Sequence, residues 1–566
     1  PPFVQFCNPP LPFLSRGGVI FGGPLSLSRG FDANGNLVPF NTGEIVEGIR
    51  AVGGDGFQFS DFGQITSDVE RTTGNVFVTW EFTPGIEAYG EGWYFKSRAD
   101  ELVQQPTFNT VLFGGASGGL TIRNDNPFLN AQARQVLANA GVTQFTLSRV
   151  NLDLADTTGF GENEIVRGVL GLRGEFETLG RVFNFDLSYN RGEAKITQFG
   201  QDINSQNFIN ATNVALVNGQ IVCTTARTRN GGSGFAAPGG TPIADPNCVP
   251  LNLLGEGRAS QAALDYVIND SVTVATLDQE VINFNIGSTL FDLWGAGPIG
   301  FNVGYEHREE EGRFIPDTFV RTGLGRSAAI SPVTGSYNLD EVFGEVLFPL
   351  VSPENDIPFI YNAELKGSVR YVDNTVNGGF TAWSAGGRFA PIEDITIRGN
   401  FTRSFRAPAI SELFSPQSSA FGFVGQPCEN VNAGPNPDVR ATNCAAFLNA
   451  FPNANLDPSA DASIPILSGG NPNLQNEEAD AYTIGVVLQP RFLSRFVLAV
   501  DYVNVVIDNP IISLGTGDLL SGCFDNPDFD TSDPANGNQF CSQIRRQPAG
   551  TIGTLPNGQQ GISVAS

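Results

Sequence analysis

The sequence has no methionine, one histidine (His307) and only three lysines in 566 residues. A single histidine nearly excludes a Cys/His metal site, because such sites draw on several of these side chains. Charged residues make up only 16% of the chain, against about 25% in ordinary globular domains. The formal net charge of −26 argues against nucleic acid as a partner, since phosphate binding requires basic surface. No run of about 18 apolar residues predicts a membrane-spanning helix.

The two ends of the sequence lack the usual features of a complete chain. The sequence starts at Pro1-Pro2-Phe3 without a methionine or a signal peptide, and it stops at Ser566 without a closing element. We therefore expect an internal piece of a longer protein.

Six of the seven cysteines form close sequential pairs within polar stretches rich in Gly, Asn and Pro. None has the Cys-x-x-Cys spacing of a zinc or redox site. We predict three disulfides that staple loops in an oxidising compartment. They are Cys223–Cys248, Cys428–Cys444 and Cys523–Cys541. The sequence does not identify a partner for Cys7, and it predicts neither a metal site nor a cofactor.

The dominant pattern is alternation of apolar and polar residues with period two, which is typical of β-strands. It occurs at 75–82, 183–190, 362–371, 395–402, 482–488 and 496–502. If these strands form a barrel in lipid, the apolar set should face outward, and it comprises Leu365, Val369, Ile397, Phe401, Ile484, Val486, Leu498 and Val500. The polar set that should face the lumen includes Glu364, Arg370, Arg398 and Asp501.

The connections between these strands alternate in length. Turns near 83–85, 177–181, 292–298 and 391–394 are short, whereas 98–161, 196–271 and 407–477 are long. Short turns at one end and long loops at the other are typical of transmembrane β-barrels, the only sheets whose backbone groups are all bonded within lipid. We count about twelve strands between residues 64 and 508. A secreted β-sandwich or β-helix, either an adhesin or a carbohydrate-active enzyme, is the alternative.

Three stretches resemble the TonB-dependent receptors of Gram-negative outer membranes. They are NFTRSFRAPAISELFSP at 400–416, GNPNLQNEEADAYTIGVVLQP at 470–490 and AVDYVNVVIDN at 499–509. NPFLNAQARQVLANAG at 126–141, the best helix candidate, and GYEHREEE at 304–311 are similar too. The residues that carry the motifs are Arg403, Arg406, Pro408, Glu412, Gly470, Asn471, Pro472, Glu478, Tyr482, Asp501 and Tyr502.

The resemblance implies an all-β, antiparallel transmembrane barrel, of which this chain holds about 12 of an expected 22 strands. It implies residence in the Gram-negative outer membrane, contact with its lipid, and uptake of a scarce bulky nutrient (a siderophore, vitamin, glycan or peptide). Uptake would be driven by the TonB complex through a plug that this chain lacks. We expect residues 1–63 to be an extracellular loop region, 64–508 a partial barrel, and 509–566 a further loop with the start of the next barrel segment.

The resemblance assigns no residue to ligand contact, and the sequence offers no convincing catalytic group. Gly115-Ala116-Ser117-Gly118-Gly119 matches G-x-S-x-G, but a nucleophile elbow requires a strand-to-helix turn and a histidine partner. His307 lies beside Glu306 and Glu309 and is more simply a strand residue paired with a carboxylate. We therefore predict that the chain is not an enzyme.

Overall fold

The computed structural model describes residues 9–47, 50–58, 64–102, 107–108, 120–155, 158–224, 245–325, 329–415, 418–422, 427–452, 464–493, 495–544, 552–554 and 560–562. Cys7 and the segment 115–119 lie outside these residues. The described part of the chain is mostly β-strand. Within it, no helix is long and apolar enough to cross a membrane.

The strands are labelled in chain order. The first thirteen are β1 Val19–Phe21, β2 Arg29–Phe31, β3 Leu37–Pro39, β4 Glu44–Glu47, β5 Arg50–Val52, β6 Asp68–Thr83, β7 Ile86–Leu102, β8 Thr107–Phe108, β9 Leu120–Arg123, β10 Gln144–Val150, β11 Thr158–Thr178, β12 Arg181–Ile203 and β13 Val214–Val217. The others are β14 Gln220–Cys223, β15 Ile268–Asp292, β16 Pro298–Pro316, β17 Val333–Val351, β18 Asn362–Asn374, β19 Gly378–Ile392, β20 Ile395–Arg406, β21 Ser418–Gly422, β22 Ile464–Ser468, β23 Glu477–Leu488, β24 Leu498–Asp508, β25 Ile552–Thr554 and β26 Gln560–Ile562.

The helices are short. They are α1 Ala131–Asn139, α2 Ser205–Thr212, α3 Gln261–Val267, α4 Thr318–Arg321, α5 Ile410–Phe414, α6 Pro437–Ala450 and α7 Thr516–Phe524. Single 3₁₀ turns occur at Pro353–Asn355, Val431–Ala433 and Cys541–Gln543. The predicted helix at 126–141 is confirmed as α1, which begins after Asn130, whose side chain caps the backbone N–H of Ala133.

Twelve long strands form one antiparallel sheet in the order β24-β23-β20-β19-β18-β17-β16-β15-β12-β11-β7-β6. Each strand therefore pairs with its nearest long neighbour along the chain, and the predicted count of about twelve strands is confirmed. Within the described residues β6 and β24 have one partner strand each and do not pair with each other. The sheet is therefore open, with β6 and β24 as its edges.

The register confirms the predicted division of the sheet into two faces, because directly paired residues point to the same side. One row of pairs runs Leu365–Gly387–Gly399–Ile484–Tyr502. The adjacent row, Glu364–Arg388–Arg398–Gly485–Asp501, lies on the opposite face. Since side chains alternate along each strand, all eight residues predicted to face outward share the first face, and Arg370 joins the second. We call these the apolar face and the polar face.

The polar face is the concave one. A cavity of about 630 Å³ lies against it, lined mainly by polar-face residues of β6, β7, β11, β12, β15 and β16. The apolar face is open to its surroundings: Leu365 is 50% exposed and Ile484 is 58% exposed. A sheet with an exposed apolar convex side and a polar hollow is the arrangement predicted for a barrel wall in lipid.

Residues 9–58 contain short strands and buried side chains. β1, β2 and β3 pair in order, and β1 also pairs with β10, which in turn pairs with β9. Ile20, Phe145, Leu147 and Phe208 are buried in one core with side chains of α1, α2 and α3. We call residues 9–58, 120–155, 204–224 and 245–267 the first lobe. The sequence did not indicate it because β1 and β10, which pair within it, lie more than 100 residues apart.

Candidate functional site

The polar face carries a clamp between two strands that are not neighbours. Arg398 of β20 donates hydrogen bonds of 2.8 and 2.6 Å to the two carboxylate oxygens of Asp501 of β24. Bidentate contacts of this kind are among the strongest hydrogen bonds in proteins. Gly485 of β23 lies between them, and a Cβ at this position would collide with Oδ1 of Asp501. Glycine at 485 therefore permits the clamp.

Replacing Gly485 by alanine should break this clamp and lower the denaturation midpoint of the sheet. In that background, Asp501→Asn should cost little more, because the interaction that it removes is already lost. A double-mutant cycle measures this non-additivity. Gly399→Ala is the matched control, since a Cβ there makes only ordinary contact with Thr483. Fully additive effects of Gly485→Ala and Asp501→Asn would contradict the prediction.

Other arginines of the polar face are also paired with carboxylates. Arg173 lies 2.5 Å from Glu87 beside the cavity. Asp186 accepts a hydrogen bond from Tyr89 at 3.2 Å. Amide side chains of Asn184, Asn285 and Asn302 line the same hollow. This wall offers hydrogen-bond donors and acceptors to a polar ligand, but no arrangement of an activated nucleophile and a base is present in it.

The motif residues of β20 and β23 form an ion-pair cluster at the long-loop end of the sheet. Arg403 donates to both carboxylate oxygens of Asp480, at 2.8 and 2.6 Å, and also lies 3.0 Å from Glu478. Arg406, at the end of β20, pairs with Glu477 at 2.5 Å and with Glu412 at 3.0 Å. The cluster joins the two strands at the point where the 407–476 connection leaves the sheet.

Glu412 holds the start of α5 in place. Its carboxylate accepts the backbone N–H of Ala409 at 2.7 Å, in the manner of a helix-capping side chain. Downstream, Asn471 donates its N–H to the backbone oxygen of Glu412, and Gly470 donates to the backbone oxygen of Ser415. Gly470 must lack a side chain, because a Cβ would lie 2.8 Å from backbone atoms of α5. These motif residues, far apart in sequence, therefore meet around one short helix.

The contacts of Glu412 should make this cluster sensitive to acid. Hydrogen bonds from Arg406, supported by the Ala409 N–H, hold the pKa of Glu412 below the usual 4.5 of a glutamate side chain. The stabilisation is therefore complete above about pH 4.5 and is lost as the pH falls through the lowered pKa. Hydrogen exchange of the Ala409 amide, corrected for its intrinsic rate, should accelerate only below that pH. In Glu412→Gln this additional acid dependence should disappear; an unchanged acid response would contradict the assignment.

Helix α5 packs against the polar face of two strands that are not adjacent to β20. A Cβ at Gly335 of β17 would run into the ring of Phe414, and a Cβ at Gly312 of β16 would lie 3.1 Å from Ile410. These two glycines are direct partners in the register. The polar face therefore has no side chains at positions 312 and 335, where α5 packs against it.

A family model described as "TonB dependent receptor-like, beta-barrel" matches residues 139–543, more than two thirds of the chain. The chain belongs to this family. TonB-dependent receptors are Gram-negative outer-membrane β-barrel proteins, and membership places this chain in that membrane.

Several solved structures are similar to this TonB-dependent receptor chain. A variant of the ferric enterobactin receptor PfeA from Pseudomonas aeruginosa is 12% identical, covering 78% of this chain and 43% of that chain with a TM-score of 0.39. The siderophore receptor PirA from Acinetobacter baumannii is 12% identical, with 76% and 43% covered and a TM-score of 0.35. The RagAB peptide transporter is 10% identical, with 78% and 40% covered and a TM-score of 0.36. The chain thus spans less than half the length of each. No curated protein matches it.

The apolar face of this receptor chain carries aromatic residues toward the long loops. Following apolar-face positions along four strands, the last aromatic residues are Tyr305, Tyr371, Trp383 and Tyr482. The next position on the same face of each strand is polar or charged: His307, Asp373, Thr381 and Asp480. Tyr502 lies beside Tyr482, with ring centroids 6.0 Å apart. Aromatic belts of this kind mark the membrane interface.

Two tryptophans, Trp80 and Trp294, lie beside short turns at the opposite end of the sheet. Trp80 is 67% exposed beside the turn between β6 and β7, and Trp294 is 51% exposed between β15 and β16. Their position fits the second aromatic belt.

All three predicted disulfides are present in the structure. The Cα atoms are 6.3 Å apart in Cys223–Cys248, 5.4 Å in Cys428–Cys444 and 4.8 Å in Cys523–Cys541, within the usual range. The first links β14 to the chain before α3 and belongs to the first lobe. The second lies in the β20–β23 connection, and the third lies in the segment that follows β24.

The other two disulfides belong to one small folded unit, the second lobe, formed by residues 427–452 and 516–544. Its core contains both disulfides together with Phe447, Leu520 and Phe524. Inside it, Arg440 of α6 donates hydrogen bonds of 2.5 and 2.6 Å to Asp525, and both side chains are at least 93% buried. Two connections on either side of the β23–β24 hairpin thus fold together.

Sequence reasoning missed the residues that make these contacts specific. Asp480 and Glu477 were not singled out, although they lie in a recognised motif beside Glu478. Gly312 and Gly335 carry no local signal, because only the register shows that they are paired. Pro408 lies in the three-residue link between β20 and α5, and Pro472 follows Asn471 in a turn.

The structure adds no catalytic arrangement among the described residues. Nδ1 of His307 lies 2.9 Å from Asp340, which also accepts a hydrogen bond from Tyr305. The G-x-S-x-G match at 115–119 is outside the described residues. No group of three or more possible metal ligands occurs in the described ranges.

Proposed function

We propose that this chain is part of the wall of an outer-membrane receptor that imports a scarce, bulky nutrient by TonB-coupled transport. The ligand would be a siderophore, a vitamin, a glycan or a peptide. The chemistry is binding and release, with no bond broken. Coupling to the TonB complex would run through a plug that these residues do not include, and no enzyme activity is needed.

The observation that carries this proposal is the two-faced, open sheet. Its polar concave face bears paired charges and amides, while the exposed apolar face fits lipid. The edges β6 and β24 leave backbone N–H and C=O groups unpaired, which a membrane does not tolerate. Further strands of the same receptor would supply the missing partners, and the closed barrel would surround a hydrophilic lumen.

We also propose that both lobes are extracellular. The connections that contribute to the lobes, β7–β11, β12–β15 and β20–β23, leave the sheet at the end opposite the short turns. Disulfides in both lobes suit an oxidising exterior. On this proposal residues 1–63 and 509–566 lie outside the cell, while 64–508 contain the barrel wall. The lobes are then positioned to capture the ligand.

An in-frame deletion of the complete receptor tests the function. Uptake of four radiolabelled probes would be measured in the parent, the deletion and a TonB-deficient strain: a ferric catecholate, cobalamin, a maltooligosaccharide and an oligopeptide. We expect saturable uptake of one probe class to fall to the same background in both mutants and to return on complementation. Uptake of all four probes at parental rates in the deletion strain would overturn the proposal.

A further inference from the structure

The segment between β20 and β23 begins with a strap, which we define as residues 407–415. Arg406 ends β20, and four residues later Ile410 already touches β16. β17 and β16, the strands that α5 contacts, are three and four positions from β20 in the sheet, or about 14 and 19 Å away at the usual strand spacing. The three-residue link 407–409 and α5 together span this distance across the polar face.

The strap passes over β18 and β19, which end earlier at the long-loop end of the sheet than β17 does. The β18–β19 hairpin stops at Asn374 and Gly378, whereas β17 continues beyond their level to Val333. At the hairpin tip, the side-chain amide of Asn377 donates a 2.6 Å hydrogen bond to the backbone oxygen of Leu474. The segment that returns from the second lobe is thereby fixed above the same hairpin.

Both ends of the strap are held. The Arg406–Glu412–Glu477 ion pairs fix the end at β20, and the glycine pair at 312 and 335 receives Ile410 and Phe414 at the other. Leu413 is only 2% exposed. The strap is docked on the lumen side of β16 and β17, and its side chains occupy space that glycine leaves free on the wall.

We propose that the docked strap limits the size of solutes that enter the lumen from the extracellular side. The inference rests on the proposed function for the orientation of the sheet and for a lumen at all. The test of the strap uses no transported ligand. The strap proposal can therefore fail even if uptake is established, and it can hold even if none of the four probes is imported. A single substitution that places a side chain at Gly312 or Gly335 should displace the strap and so remove the size limit.

A disulfide cross-link tests docking in the complete receptor in intact cells. A Cβ at position 312 lies 3.7 Å from the Cβ of Ile410, close to the mean of about 3.8 Å in disulfides. Gly312→Cys with Ile410→Cys should therefore cross-link on mild oxidation, in a Cys7→Ser background that removes the one cysteine of this sequence outside the three disulfides. Adding Gly335→Leu, which collides with Phe414, should abolish the cross-link. Failure of the first pair to cross-link would overturn docking.

Access to the lumen is measured in separate variants through Ser384→Cys. Ser384 is on the polar face, hydrogen-bonded to Ser368 at 2.7 Å, and shares a row with Glu345 of β17. That row lies about 33 Å along β17 from Gly335. The cysteine at position 384 is labelled with a large reagent, a polyethylene-glycol maleimide, and with a small one, N-ethylmaleimide. The ratio of the first labelling rate to the second reports how readily large solutes reach the lumen. Gly335→Leu should raise this ratio roughly tenfold, equivalent to about 1.4 kcal/mol in the barrier to entry.

Gly344→Leu is the matched control, because Gly344 is on the opposite face of β17 and the atoms nearest to a Cβ there are 3.7 and 3.8 Å away. It should leave the ratio unchanged. An unchanged ratio in Gly335→Leu, once the cross-link is lost, would overturn the proposal. So would failure of N-ethylmaleimide to label Ser384→Cys in every variant, because the limiting barrier would then lie elsewhere.

Discussion

Arg440→Met is expected to unfold the second lobe while leaving the twelve-stranded sheet intact. The substitution leaves the carboxylate of Asp525 buried without its partner, a change that typically costs about 3–5 kcal/mol. Asn443 and Asn436 bind only backbone oxygens around Asp525 and cannot replace the lost positive charge. Hydrogen exchange measured by mass spectrometry should show loss of protection in 427–452 and 516–544 but not in β15–β20.

The double variant Arg440→Met/Asp525→Leu is the decisive control. Replacing a buried ion pair by apolar side chains of similar volume is often neutral or stabilising. Protection of the lobe should therefore return in the double variant. If it remains as low as in Arg440→Met, the ion pair is not the cause, and the volume at this position is what matters.

Leu137→Ala should destabilise the first lobe by about 2–5 kcal/mol, the range for a buried leucine whose site cannot collapse. Leu137 of α1 is fully buried in the core that joins α1 to β10 and α3. Because a chain with separate lobes does not unfold in two states, the readout must be local. Hydrogen exchange of peptides from 131–150 measures the loss.

Leu216→Ala is the chemically identical control, since Leu216 of β13 in the same lobe is 64% exposed. Its effect should stay within about 0.5 kcal/mol, as for most surface substitutions. Equal losses from both variants would show that the buried core described here does not stabilise the lobe.

Strand number, facing and disulfide pairing followed from the sequence because each depends on local patterns. Period-two alternation sets the face of every residue between two bulges, so Leu365 and Glu364 could be placed without a structure. The cysteine pairs are close in sequence, and their loops contain few competing thiols. These features require no knowledge of which strand neighbours which.

The lobes and the strap could not be predicted, because their contacts join distant residues. Ile20 meets Leu147 across the β1–β10 pairing, and Arg440 finds Asp525 after 85 residues. The motif around Arg406 and Glu412 was recognised, yet its role depends on a glycine pair more than 70 residues upstream. Nothing local distinguishes Gly335 from the many glycines that simply lie in strands.

The nearest-neighbour strand order has a consequence for how the protein assembles. Every long strand pairs with the one before it, so the wall can grow by adding one hairpin at a time in the order of synthesis. From β15 to β20 the connections are shorter than those of the β7–β11, β12–β15 and β20–β23 steps. The strands of this stretch can therefore pair early, because closing short loops costs little entropy. The other three steps must instead bring strands together across long connections that also fold. Two of these connections, β12–β15 and β20–β23, each contain a disulfide. Disulfide formation and strand insertion are then linked in time there, so a reducing periplasm should stall biogenesis at these two steps.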